Sequence, residues 1–382
     1  MKTNFVKLRW LFTMLLFVTT MIMPTMMLAK SIDLKIPEGD GAGTPYKIGT
    51  AEELYWFAGL VNGTLPGVKK DLSANAILTD DIIVNTGVLD PNKDLVSGND
   101  FIEWIPIGKS SSDDDAYTGT FDGNGHTISG LYFNKSNSWY VGLFGCIGAE
   151  GKISNVGVSD SYFQSSNCPY IGGVCGSNSG ELQNCSNSST VIGKENEYRI
   201  GGVCGHSYGT IKSCYNTASV SGQYSVGGVS GSLGSDVTNC YYLSGTVADG
   251  KSGIGGQKDE NGKAEKMSLE QFKSGEVAWL LNGSKSVSTE ESTLAWYQKL
   301  DENADAYPVL KSTDHNTVYK APLFSCDGTT RIGEYANKPE GDKLSHNYQM
   351  AEKADEGTSN LYSEECAICH NVKDGTKYIK DF

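Results

Sequence analysis

Ten cysteines and five histidines are the residues of this 382-residue chain with the widest chemical repertoire. They fall into two groups. Near the C-terminus stand Cys326, His346, Cys366 and Cys369, the last two inside "CAICH". Three thiolates and one imidazole make the ligand set of a four-coordinate structural zinc, although here the four lie far apart in sequence. C-x-x-C-H is also the attachment pattern of a c-type haem, with His370 as axial ligand. None of the twelve residues after His370 is Met or His, so the opposite ligand would have to come from Met350 or His346. The third reading is a small terminal module closed by a disulfide or by nothing. The pattern requires no cofactor; a structural zinc on the four residues is the metal expectation, and haem fits less well.

The second group recurs. "YIGGVCGSNSGELQNC" ends at Cys185 and "IGGVCGHSYGTIKSC" ends at Cys214. Four segments superpose, starting at Tyr140, Tyr170, Arg199 and Ser225. Their matched apolar residues, Ile153, Leu182, Ile211 and Val237, are 29, 29 and 26 residues apart. Such a period marks a solenoid, propeller or array, in which one unit buries its apolar face only against its neighbours. The units are too rich in glycine for helix, where each Gly costs roughly 1 kcal/mol against Ala. Leu182 and Cys185, like Ile211 and Cys214, are three apart, which breaks strand alternation as a corner would, and the glycines are expected to supply the unusual dihedrals. The fold predicted is all-β: a parallel β-helix, or β-solenoid, with coils about 4.8 Å apart. The competing reading makes "SNSG" and "HSYG" four-residue loops of antiparallel hairpins.

In either arrangement Cys185, Cys214 and Cys240 hold one position of successive units, and Cys175 and Cys204 another. In-register stacking sets side chains wider apart than the ~3.8 Å between β-carbons that a disulfide prefers. Val156 fills the Cys185 position in the first unit, so the site takes a small apolar group. Core filling is therefore the expected role, and it implies a compartment in which exported thiols stay reduced.

The phrases "GGVCG…LQNC" and "GGVCG…IKSC" resemble the GLUG motif, a glycine-rich repeat of bacterial surface proteins that include adhesins and some secreted immunoglobulin proteases. The resemblance covers roughly 140–247, and "WIPIG…YTGTFDGNGHTISGLYF" is similar to the segment that often precedes such repeats. It implies architecture more than activity, because these repeats serve as scaffold in proteins of different function.

Around the repeats the chain divides as follows: 1–29 a signal peptide, 30–105 an N-terminal capping segment, 106–248 the repeat solenoid, 249–310 a C-terminal capping segment, and 311–382 a small Cys/His module. The leader has Lys2, Lys7 and Arg9 before an apolar run from Trp10 to Met23, too short to span a bilayer permanently. In the first cap, "GTAEELYWFAGLVNG" predicts a helix. Thr50 and Glu53 form a capping box, Leu54, Phe57, Ala58 and Val61 form one stripe, and Gly63 is the stop. In the second, Ser268 and Gln271 cap "MSLEQFKSGEVAWLLNG", which Gly275 divides into two short helices. "WYQKL" and "DAYPVL" then read as strands or turns.

The chain carries a net charge of −14. Loss of the three basic leader residues, with no acidic one, takes it to −17. An acidic chain repels phosphate backbones, so nucleic-acid binding is not expected. A parallel β-helix also hosts enzymes that cut acidic polysaccharides, which would need clustered carboxylates. The repeat acids do not align between units: Lys152, Glu181, Thr210 and Asp236 share one position. No His-Glu-x-x-His helix, nucleophile elbow or phosphate loop occurs, and neither His206 nor Ser230 has an evident partner. The reading is a secreted or cell-surface protein, more a binder than an enzyme, acting in adhesion on host or matrix glycans or on surface proteins, with no membrane span after leader removal. Tyr140, Tyr170, Tyr208, Tyr215, Tyr224, Tyr241 and Tyr242 are its candidate contacts. A polysaccharide lyase or glycoside hydrolase is the alternative.

Overall fold

The computed structural model describes Lys30, 32–112, 114–167, 169–194, 199–234, 236–258, 263–283, 294–299 and 304–310, with the backbone of strands Tyr348–Lys353, Leu361–Cys366 and Ile379–Lys380. Its body is a stack of parallel strands. The first sheet runs through Tyr46–Ile48, Ala76–Leu78, Thr120–Asp122, Lys152–Ser166, Glu181–Lys194, Tyr215–Asn216, Cys240–Leu243 and Ala264–Met267. Strands from the segments flanking the repeats thus join the same ladder. Leu182 is in register with Ile153 on one side and Ile211 on the other, and Ile211 with Val237. The hairpin alternative is overturned, because the repeat units pair in parallel and with their neighbours.

The physical reason is burial. Ile153, Leu182, Ile211 and Val237 are at most 2% exposed. A side chain of this size contributes about 1.5–3 kcal/mol when removed from water, and only the adjacent rung can cover it.

The corner after this row differs from the expectation in one respect. Asn155, Asn184, Ser213 and Asn239, not glycine, take the left-handed conformation there, with φ between +51° and +53°. Asn tolerates that region better than other side-chain-bearing residues. It also bonds along the stack: Asn184 Nδ2 donates to Asn155 Oδ1 at 2.9 Å, and Asn155 Nδ2 to Asp122 Oδ1 at 2.9 Å.

The second sheet is built from two short strands per coil. Tyr140–Val141, Tyr170–Gly172 and Arg199–Gly201 stack in one tier, and Phe144–Ile147, Cys175–Asn178 and Cys204–Ser207 in the other. The strand Ser225–Leu233 pairs with both. Glycines serve this corner through close approach. A Cβ on Gly173 or Gly202 would overlap the buried amides of Asn187 or Asn216, and one on Gly228 the ring of Tyr242.

The first helix spans Ala51–Asn62, with Thr50 Oγ1 accepting from the Glu53 N–H at 3.3 Å and Gly63 left-handed at its end. Only half of the capping box forms. The Glu53 carboxylate accepts from the Gly49 N–H at 2.9 Å and pairs with Lys35 at 2.6 Å. Its stripe enters the common core, where Phe57 meets Tyr117 and Phe121 at 6.1 and 6.0 Å between ring centres. The second helical segment splits at Gly275 into Leu269–Lys273 and Glu276–Leu281, with both arms of the Ser268–Gln271 box present. It lies on the flank of the late rungs, where Phe272 and Trp296 pack on Tyr215. Tyr297 and Val309 form an antiparallel bridge beside it. No helix among the described residues is long and apolar enough to cross a membrane.

Candidate functional site

The thiols of the repeats lie inside the stack. Cys175, Cys185, Cys204, Cys214 and Cys240 are fully buried and, with Cys146, are free. The sulfurs of the five fully buried cysteines each find a carbonyl two residues away in their own chain, such as Cys185 Sγ to Gln183 at 3.2 Å, Cys214 Sγ to Lys212 at 3.2 Å, and Cys175 Sγ to Ser177 at 2.9 Å. The sulfurs of Cys214 and Cys240 also receive the N–H of the preceding rung's cysteine, at 3.3 and 3.5 Å. Burial pushes the Cys185 and Cys240 thiols well above their ordinary range and Cys146 up to about 12. A neutral, enclosed thiol is a poor nucleophile and a poor ligand. Core filling is what these residues do.

The outer surface of the second sheet is where exposed chemistry gathers. The residues that open the four superposed segments, Tyr140, Tyr170, Arg199 and Ser225, are register partners. Parallel pairing turns their equivalence in sequence into a column. Tyr140 and Tyr170 stack with centroids 5.1 Å apart and planes 4° from parallel. The Arg199 guanidinium lies 5.3 Å from the Tyr170 centroid and donates to its hydroxyl at 3.2 Å, a cation–π contact on the open end of the pair. The Tyr140 hydroxyl is held by Ser111 Oγ at 2.9 Å.

His206 joins the column from the adjacent tier, 5.7 Å from Tyr170 and 4.2 Å edge-on from Tyr208. It does have a partner: Nδ1 lies 2.5 Å from Ser232 Oγ. Burial first, and the Arg199 charge second, hold it below the usual imidazole range. Ser230 also has a partner, its hydroxyl donating to the Ser232 carbonyl at 2.9 Å. Nothing among the described residues places a carboxylate against His206, so the pair reads as packing and orientation rather than a nucleophile–base couple.

Around this column the exposed rings are Trp139, Tyr208 and Tyr224, 66%, 64% and 48% accessible. Trp139 and Tyr224 immediately precede column positions Tyr140 and Ser225. Rings fixed by stacking, with a guanidinium and hydroxyls at their edges, offer flat amphipathic contact at low entropic cost.

Three of the seven candidate tyrosines are elsewhere. Tyr215 and Tyr241 are covered by the second helical segment, and Tyr242 is inside the stack, all under 7% exposed. Trp139 and Arg199 were not among the sequence candidates. Their signal was positional, since each sits at or beside the head of a repeat segment. Of the C-terminal ligand candidates, Cys326, His346 and Cys369 lie outside the described residues, and Cys366 ends the strand Leu361–Cys366. Among the described residues no group of three or more His, Cys, Asp or Glu is arranged to hold a metal ion.

The family model of the GLUG motif matches residues 196–221, which take in the column residue Arg199 and the His206–Tyr208 pair. The chain carries this motif. It is similar to halomucin of Haloquadratum walsbyi, 38% identical over 84 residues, which is 22% of this chain and 1% of that protein. It is also similar to a putative Gly-rich membrane protein of Evansella cellulosilytica, 33% identical over 78 residues, 20% of this chain and 9% of that protein. The likeness therefore concerns a small part of much longer chains. No solved structure matches.

Proposed function

We propose that this chain is an exported, surface-associated repeat protein that contacts glycans of a host or matrix, or surface proteins bearing them, through the Tyr140–Tyr170–Arg199 column, without catalysis. The observation that carries the reading is that column: two parallel rings 5.1 Å apart, closed by a guanidinium and joined through His206 to the exposed Tyr208, with exposed Trp139 next to Tyr140 in the chain. A solenoid holds such a row rigid, so little conformational freedom is lost on contact. The apolar leader and the similarity to halomucin and to a putative Gly-rich membrane protein support a place at the cell surface. The C-terminal module is proposed as a separate structural unit, with zinc on Cys326, His346, Cys366 and Cys369 as its metal.

A glycan array read together with release of reducing ends tests the function. Retention without release, weakened several-fold by Tyr170→Ala and by the exposed Trp139→Ala, supports it. Release of reducing ends establishes the hydrolase or lyase alternative instead. Absence of retention on any glycan overturns the glycan reading.

A further inference from the structure

The flank of the first sheet carries a feature the aromatic column does not use. Thr127, Gly157 and Ser186 are register partners, and so are Ser129, Ser159 and Ser188 in the row two residues on. The residues between the rows, Ile128, Val158 and Asn187, are buried, so alternation turns both rows outward. Gly157 interrupts the first row. A Cβ there would lie 3.0 Å from Thr127 Oγ1 and 3.2 Å from Ser186 Oγ, so the two hydroxyls flank bare backbone. Tyr215 follows Ser186 in the same row and donates to the Pro308 carbonyl at 2.6 Å. That bond seats residues 305–310 opposite the hydroxyl rows. Gln298 Nε2, donating to the Asp305 carbonyl at 3.1 Å, holds the other part of the segment.

Between wall and floor is a groove of ≈ 390 Å³, within the roughly 300–1,000 Å³ of small-molecule clefts. Its lining determines what it accepts. The floor presents serine and threonine hydroxyls, because its backbone groups are taken up in the parallel ladder. The wall presents Tyr307 and Pro308, an apolar surface. Among the described lining residues the charged ones are Asp81 and Asp305, and His126 Nδ1 lies 3.3 Å from Asp81 Oδ1. Asp81 accepts from the Thr127 N–H at 2.8 Å and Asp305 from the Lys299 N–H at 2.7 Å, so both carboxylates are fixed as acceptors. Phosphates and uronic acids are repelled by such a lining, whereas a ligand rich in hydroxyl or ammonium donors is matched.

We infer that the groove between the Ser159–Ser188 face and residues 305–310 is a saccharide subsite for neutral or amino sugars, distinct from the aromatic column. The two sites are built from different rows, so loss of one leaves the other intact.

Titration calorimetry on the full chain tests this with three probes: cellobiose, chitosan disaccharide and trigalacturonate. Saturable heat is expected from cellobiose or the amino disaccharide. Ser188→Val is expected to weaken it about tenfold, the loss of one or two hydrogen bonds, and Tyr307→Ala by a similar factor. Tyr307→Ala decides the matter if Ser188→Val fails to fold. No heat from either uncharged or amino probe at millimolar concentration overturns the inference, as does preference for trigalacturonate or indifference to both groove substitutions.

Discussion

Asn187 donates from Nδ2 to Asn216 Oδ1 at 2.9 Å across one step of the stack, with both side chains fully buried. Each amide also closes a local turn. Asn187 Oδ1 accepts from the Ser189 N–H and Nδ2 donates to the Ser189 carbonyl; Asn216 does the same with Ala218. A polar group in so dry a place is kept only when satisfied. Asn216→Ala leaves the Asn187 donor and the Ala218 N–H unpaired over a void. The expected cost is about 2–4 kcal/mol, read as a lower midpoint of urea unfolding.

The same pair explains the second glycine of the repeated phrase. Gly173→Ala drives a methyl into Asn187, and about 3 kcal/mol or more of destabilisation is expected. Gly245→Ala is the control. Gly245 has φ +85° and open space around it, so its loss costs only the left-handed strain of about 1–2 kcal/mol. Thermal melts of the two variants should separate them clearly.

The buried thiols should be silent in the native protein. Alkylation at mildly alkaline pH, mapped by mass spectrometry, should leave Cys146, Cys175, Cys185, Cys204, Cys214 and Cys240 unmodified until denaturant is added. The cause is burial, which both removes access and raises the Cys185 and Cys240 thiols. Rapid labelling of any of these in the folded chain contradicts the packing described.

His206 makes stability fall in mild acid. Its folded-state affinity for a proton is lowered, by burial and then by Arg199, so the unfolded chain binds that proton first. The His206 contribution is full above the unfolded value of about 6.5. It declines as pH drops below that value and levels off only once the folded histidine itself titrates. The groups around it are Tyr170, Tyr208, Arg199 and Ser232. His206→Asn should flatten the stability profile between pH 7 and 5.

Much of this architecture was legible because the repeats state it twice over. The steps from Ile153 to Leu182, Ile211 and Val237 became register partners, and Val156 in place of a cysteine announced a core position. Gly275 divided the late helix where expected. The early rungs were harder to read. Ala76 pairs with Phe121, 45 residues on, without any repeated phrase, since one buried apolar residue per rung is all that the stack demands. The corner asparagines give no comparable signal, because glycine is the residue that left-handed backbone ordinarily selects. The fate of the tyrosines depended on what covers each face. Tyr215 and Tyr241 point outward from the ladder yet are buried by Phe272, Trp296 and their neighbours, and strand alternation alone cannot report that.

The parallel stacking of the repeats is tested most directly by cross-linking across a rung. Glu181 pairs in register with Lys152 below and Thr210 above, at the ~4.8 Å spacing of neighbouring strands. Combining Glu181→Cys with Thr210→Cys, or with Lys152→Cys, should give an intramolecular link with a bifunctional thiol reagent of about 5 Å span. Glu181→Cys with Asp236→Cys, two rungs away, should not. A link in the two-rung pair with none in the adjacent pairs contradicts the stacked coils.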